Sequence, residues 1–241
     1  MDIYYISENL YIKDDKMYNN KKKLIINTNW HKLLKEIGWY KLPSPWIKRL
    51  NKMSTVKVKN SPYGVIECGA DGDCFFHCIS FALNSIQRYN KDPQVYNGRD
   101  IKKLLVDSID KELYENIISI YKILKDSDDL DENWDPYSMT LDKFKELILN
   151  KRDVFWGDHI LIQLIMKILN INIVILNSNQ YTKTYTVYNT MMVYDSMKNT
   201  IILMYDNTIH FRLVGYFRDN LMLSLFDHRY LPDEIKKLIN V

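Results

Sequence analysis

The apolar positions of this chain change their spacing along its length. The densest run covers residues 74–83, Cys-Phe-Phe-His-Cys-Ile-Ser-Phe-Ala-Leu, and follows the polar, glycine-bearing stretch Gly-Ala-Asp-Gly-Asp at 69–73. A run so apolar reads as a helix buried on most sides, begun by the turn before it. Helical spacing returns over 98–109, 111–124 and 140–150, the last with Thr140 as N-cap. Residues 158–169 form a further helix with a wide apolar face, started by Asp158 and ended at Asn170. The period then shortens. Residues 171–176 are β-branched and aliphatic and read as a central strand, 177–180 as a turn, and 181–188, where Thr and Tyr dominate, as a second strand. Residues 201–205 and 210–217 read as a hairpin across Asp206-Asn207-Thr208. Helices first and strands later predict an α+β fold, a small sheet packed between helical layers.

The flanks read differently. Residues 1–60 look like an N-terminal extension, partly helical, ahead of a main domain at 61–217 and a helical tail at 218–241. Within the extension, 19–23 is a polar turn and 31–38 a short amphipathic helix. A second helix covers 44–53, with Ser44 as N-cap and Pro45 at the first helical position. Trp30, Trp39, Tyr40 and Trp46 are expected to pack this piece against the main domain. The tail ends in a polar helix after Pro232.

Composition changes this picture little. At 241 residues the chain is expected to hold one domain with an appendage, or two small ones, and 46% apolar and 26% charged residues are ordinary for a soluble globular protein. A net charge of +3 is too mild to point to nucleic acid. The longest apolar candidate, 160–169, is broken by Gln163 and Lys167 and falls short of the roughly 18 residues of a membrane span. Three cysteines, an odd number, and an N-terminus without the pattern of a signal peptide predict a reducing, cytoplasmic location.

Cys74 holds the most chemical interest. At the first turn of a core helix, unpaired backbone N–H groups and the positive end of the helix dipole favour a thiolate. The expectation is a lowered thiol pKa, and the same amides suit an oxyanion. Position alone leaves a second reading open, a small buried apolar residue. A nucleophilic thiol needs a base and a group to orient it. His77 lies on the same helix and reads as a helix-surface residue, His159 opens a later helix, and His210 follows a turn at the start of a strand. Cys68, Cys74, Cys78 and His77 lack the spacing and the second ligand pair of a zinc site, so neither metal nor cofactor is expected.

Three segments carry a resemblance. Asp71-Gly72-Asp73-Cys74-Phe75-Phe76 resembles the nucleophile motif of the ovarian-tumour (OTU) family of cysteine proteases. Trp156-Gly157-Asp158-His159-Ile160 resembles that family's Trp-Gly box, and Ile209-His210-Phe211 the strand pair carrying its catalytic histidine. The three come in the family's order. The resemblance implies a papain-related α+β fold with a mostly antiparallel sheet. It also implies a deubiquitinase that cuts after the terminal glycine of ubiquitin or polyubiquitin, or of a ubiquitin-like modifier. Cys74 would be the nucleophile, His210 the base, and Asp71 an active-site residue. The backbone of Asp71, Gly72 and Asp73 would form the oxyanion loop. Large DNA viruses carry such proteins, and a chain rich in Lys, Asn, Ile and Tyr suits one; the location would then be the host cytoplasm.

Two further features follow from the comparison. Trp156 would roof the channel for a glycine-glycine tail, or fill the core. The acidic stretch 126–135 includes Asp128, Asp129 and Asp131. These would meet the arginines before ubiquitin's last two glycines, or form a solvated loop. The sequence departs from the family at Arg212, two residues after the histidine, where Asp or Asn usually accepts the imidazole N–H. A guanidinium cannot accept, and it disfavours an imidazolium beside it. Arg212 is therefore expected to pair with a carboxylate or turn outward, and the orienter to come from the Asp206–Asn207 turn or from Glu67. A different function class, a catalytically weak module binding ubiquitin or another partner protein, has Arg212 as its support.

Overall fold

Aliphatic residues fill positions 171–176, 201–204 and 211–214 almost without interruption, and such strands require cover on both faces. The computed structural model provides it with helical layers on the two sides of one sheet. It describes residues 3–55, 60–69, 72–85, 94–130, 134–150, 158–179, 181–188, 190, 192–206 and 210–241. In chain order the first elements are β1 (Tyr4–Tyr5), β2 (Leu10–Lys13), β3 (Lys16–Asn19), α1 (Trp30–Leu33), a 3₁₀ turn (Leu34–Ile37), β4 (Trp39–Lys41), α2 (Ser44–Met53) and β5 (Tyr63–Ile66). The helical run follows: α3 (Cys74–Asn84), α4 (Gly98–Ser108), α5 (Lys111–Asp126), α6 (Leu141–Leu149) and α7 (His159–Ile168). The remainder is β6 (Ile171–Asn179), β7 (Thr184–Tyr188), β8 (Asn199–Asp206), β9 (His210–Arg218), β10 (Leu221–Leu223), β11 (Leu225–Phe226) and α8 (Asp233–Leu238).

The main sheet runs β4-β5-β9-β8-β6-β7, with β10 on β9 and β11 on β8. Among the described residues only β6 and β8 pair in parallel, so the sheet is mostly antiparallel, as expected. Strand alternation sorts the core into two. Ile201, Leu203, Phe211 and Leu213 face a large cluster with α3 to α7, while Ile202, Met204 and Val214 face a smaller one with Trp46 and Leu50 of α2 and Ile235 of α8. Fully burying a side chain of this size contributes about 1.5–3 kcal/mol. Among the described residues no helix is long and apolar enough to cross a membrane.

Several boundaries differ from the expectation for local reasons. Residues 4–19 pair into a separate three-stranded sheet, β1-β2-β3, turned by Asp14 and Asp15 at φ of +50° and +54°. Ser44 is the first helical residue and Pro43 the N-cap, so no side chain caps α2. The tail begins as strands β10 and β11, because Asp219 and Asn220 take positive φ and fold the chain back onto β9. The N-terminal segment shares the core. β4 is an edge strand of the main sheet, and Trp30 and Trp46 are fully buried, donating to Ser61 O at 3.2 Å and Ser178 Oγ at 2.6 Å. Trp39 is buried too, and Tyr40 is half exposed.

Candidate active site

Strand β9 begins beside the start of α3, and β5 ends next to both. Ile66 pairs with Leu213 in the antiparallel ladder, so the next residue, Glu67, comes level with Arg212 and within reach of His210. Cys74 opens α3 with its side chain turned inward, 2% exposed, and its Sγ accepts the Phe211 amide at 3.4 Å. The neighbouring His210 places Nε2 at 2.5 Å from Glu67 Oε1. That contact occupies one ring nitrogen and leaves Nδ1 without a hydrogen bond among the described residues. Phe211 stacks on Tyr205 and packs edge-on to Phe75, closing the floor beneath the thiol.

Burial decides the electrostatics. It pushes the Cys74 thiol above its ordinary pKa; the Phe211 and Phe75 amides pull it down again, and the charge of Glu67 adds to the rise. The sequence expectation was the reverse, a thiol lowered by its helix start. That expectation took account of the amides but not of the side chain's near-complete removal from water. Cys78, fully buried, is pushed well up, first by burial and then by Cys68, and donates to Phe211 O at 3.7 Å. Tyr205 is raised to about 12, chiefly by burial, and stays a neutral phenol.

Arg212 does not reach across to the imidazole. Its Nη2 forms an ion pair with Asp206 Oδ2, and Asp206, 6% exposed, is the ladder partner of His210. Burial lowers the guanidinium pKa and Glu67 opposes that shift. Of the two expected sources for a group on His210, Glu67 makes the contact while Asp206 is taken by Arg212. Asn207 lies outside the described residues.

The remaining sequence candidates separate. Gly72 turns the chain at φ +79° ahead of the helix, and Asp73 sits at the N-cap position of α3 without a side-chain cap bond. Its carboxylate is paired instead with Lys102 of α4. Asp71, Asp131 and Trp156 lie outside the described residues. Asp128 and Asp129 are exposed in the loop after α5 and form no bond with the Cys74–His210 pair. His77 is not a free surface residue: a Cβ on Gly69 or on Gly98 would come within 2.8 Å of its ring, so two glycines make room for it.

Sequence reasoning missed Lys102. Its signal was present, since position 102 falls on the apolar stripe of Gly98, Ile101, Leu105 and Val106, and all five are buried. A lysine there needs a partner.

The family described as OTU-like cysteine protease matches over residues 69–212. No curated protein matches the chain. Among solved structures, an ovarian tumor (OTU) domain in complex with ubiquitin has 19% identity and a TM-score of 0.43, covering 73% of this chain and 81% of that one. The viral OTU domain protease of Dera Ghazi Khan virus has 16% identity and a TM-score of 0.42, over 65% and 82%. An OTU deubiquitinase of Wolbachia pipientis wMel has 12% identity and a TM-score of 0.39, over 73% and 96%.

Proposed function

Because the chain belongs to the family of OTU-like cysteine proteases, we propose that it is a thiol-dependent deubiquitinase hydrolysing the bond after the C-terminal glycine of ubiquitin. Cys74 is the nucleophile, His210 the base and Glu67 the group that orients the base. One observation carries the assignment: the His210 imidazole is held at Nε2 by Glu67 while its neighbour's amide touches the Cys74 sulfur. With Nε2–H donated to the carboxylate, Nδ1 is the basic nitrogen and takes the thiol proton. A buried thiol with a raised pKa suits a proton transfer that accompanies attack better than a preformed ion pair.

The sulfur adds to the glycyl carbonyl, and the oxyanion is met by the Cys74 amide and the 71–73 loop. Collapse forms a thioester and releases the amine, which takes the proton back from His210. Water, deprotonated by the same imidazole, then hydrolyses the thioester and frees Cys74. Asp71 is assigned to the loop, Trp156 to the channel roof, and exposed Asp128 and Asp129, with Asp131, to the arginines of the ubiquitin tail. Polyubiquitin and ubiquitin-like modifiers present the same tail chemistry. The alternative, a catalytically weak binding module, rested on Arg212, whose charge is engaged by Asp206 rather than by the imidazole.

The test is a ubiquitin probe bearing a C-terminal electrophile. It is expected to label Cys74 alone, with Cys74→Ala abolishing both labelling and cleavage. His210→Ala is expected to slow cleavage by about 10²–10⁴. Cleavage of diubiquitin by Cys74→Ala at the wild-type rate overturns the proposal.

A further inference from the structure

Helices α4 to α7 each begin with a residue whose side chain accepts a first-turn amide: Asn97, Asp110, Thr140 and Asp158. Helix α3 begins with Asp73, a residue type among the strongest N-caps, and its side chain accepts none. The carboxylate is drawn the other way, into the protein, by Lys102. The Lys102 ammonium also donates to Asn150 O at 3.0 Å and lies 5.1 Å from the centre of the Phe76 ring. Both partners are buried, Lys102 to 2% and Asp73 to 7% exposure. A capping side chain takes the amide two or three residues on, which here means Phe75 or Phe76. The Phe75 amide is one of the groups that pull the Cys74 thiol down against its burial.

We propose that Lys102 is a positioning residue for the nucleophile. By holding the Asp73 carboxylate it keeps the first-turn amides of α3 open to the Cys74 sulfur and to the oxyanion. It also cancels a negative charge one residue from the thiolate. The inference rests on Cys74 being the nucleophile, as proposed above. Among the described residues, the other titratable groups electrostatically linked to the thiol are Glu67 after β5, Tyr205 on β8 and Cys78 on α3 itself, and His210 on β9 adjoins the Phe211 amide that bonds to its sulfur. The Lys102–Asp73 pair is a separate feature, contributed between α3 and α4.

The experiment reads the pH dependence of iodoacetamide alkylation at Cys74 in the full chain, by peptide mapping, beside kcat and KM for a ubiquitin substrate. In Lys102→Met, Asp73 is free to fall back onto the Phe75 amide. The alkylation midpoint moves to higher pH, the rate at pH 7 drops about tenfold, and kcat falls while KM holds. In Asp73→Ala, Lys102 remains without its counter-charge and the midpoint moves to lower pH. The double variant brings the midpoint back towards wild type. An ion pair that only braced the scaffold would lower the melting temperature of both single variants without moving the two midpoints in opposite directions. That result, or an unmoved midpoint in Lys102→Met, overturns the proposal. Should Lys102→Met fail to fold, Asp73→Ala decides alone, and a midpoint at or above wild type refutes it. Alkylation needs no ubiquitin, so an error in the substrate assignment would show separately, as absent hydrolysis with the midpoint shifts intact.

Discussion

Replacing Glu67 by alanine removes the carboxylate that accepts from His210 Nε2 at 2.5 Å. Hydrogen bonds to charged groups contribute about 1.5–3 kcal/mol. The Glu67 carboxylate is 51% exposed, so solvent screening favours the lower part of that range. About 1.5–2 kcal/mol lost from the transition state lowers kcat roughly ten- to thirtyfold, with KM nearly unchanged, because no ubiquitin contact is assigned to Glu67. A second readout has the opposite sign. The charge of Glu67 raises the Cys74 thiol, so its removal lowers the thiol pKa and speeds alkylation of the free enzyme at pH 7 while hydrolysis slows. Glu67→Gln keeps an acceptor and retains more activity than the alanine variant. Steady-state hydrolysis of a fluorogenic ubiquitin C-terminal amide and iodoacetamide kinetics measure the two arms. Wild-type kcat in Glu67→Ala, with His210→Ala inactive, would refute the reasoning and place the orienter elsewhere.

Arg212→Ala strands the buried Asp206 carboxylate. Breaking a fully buried pair costs about 3–5 kcal/mol, and since Arg212 is only half-buried, a loss nearer 1–3 kcal/mol is expected by denaturant unfolding. Its kcat should stay within about threefold of wild type, since no bond joins Arg212 to His210; a hundredfold loss with the fold intact would put Arg212 on the substrate or the imidazole. The raised Cys74 pKa keeps the thiol protonated through neutral pH, so alkylation of the free enzyme should still be climbing past the ordinary thiol range. A plateau reached below pH 7 would contradict the burial argument.

The legible parts of this molecule were those fixed by near neighbours. Thr140 and Asp158 announced the starts of α6 and α7, because a capping bond spans only three residues. The turn before Cys74, the β-branched run of β6 and the pairing of β8 with β9 followed from period and turn chemistry. The sheet of β1 to β3 escaped notice. Its strands have two to four residues, and its β2–β3 turn uses Asp14-Asp15 in place of an Asn-Gly or Asp-Gly signal.

By itself the sequence determined that a cysteine opens a core helix behind a glycine turn and that a histidine opens a later strand. It also showed that the strand carries an arginine where an acceptor was wanted. The tertiary structure alone decided how those residues behave. Glu67 meets His210 across 143 positions, because the β5–β9 ladder brings their ends level. Asp206 and Arg212 find each other because β8 and β9 turn back in register. Whether Cys74 is acidic or not depends on how much water reaches it, and whether Asp73 caps its helix depends on a lysine from α4. Spacing and capping act over a few residues and are written in order along the chain. Burial and charge pairing depend on residues brought together from distant positions, so they exist only once the chain has folded.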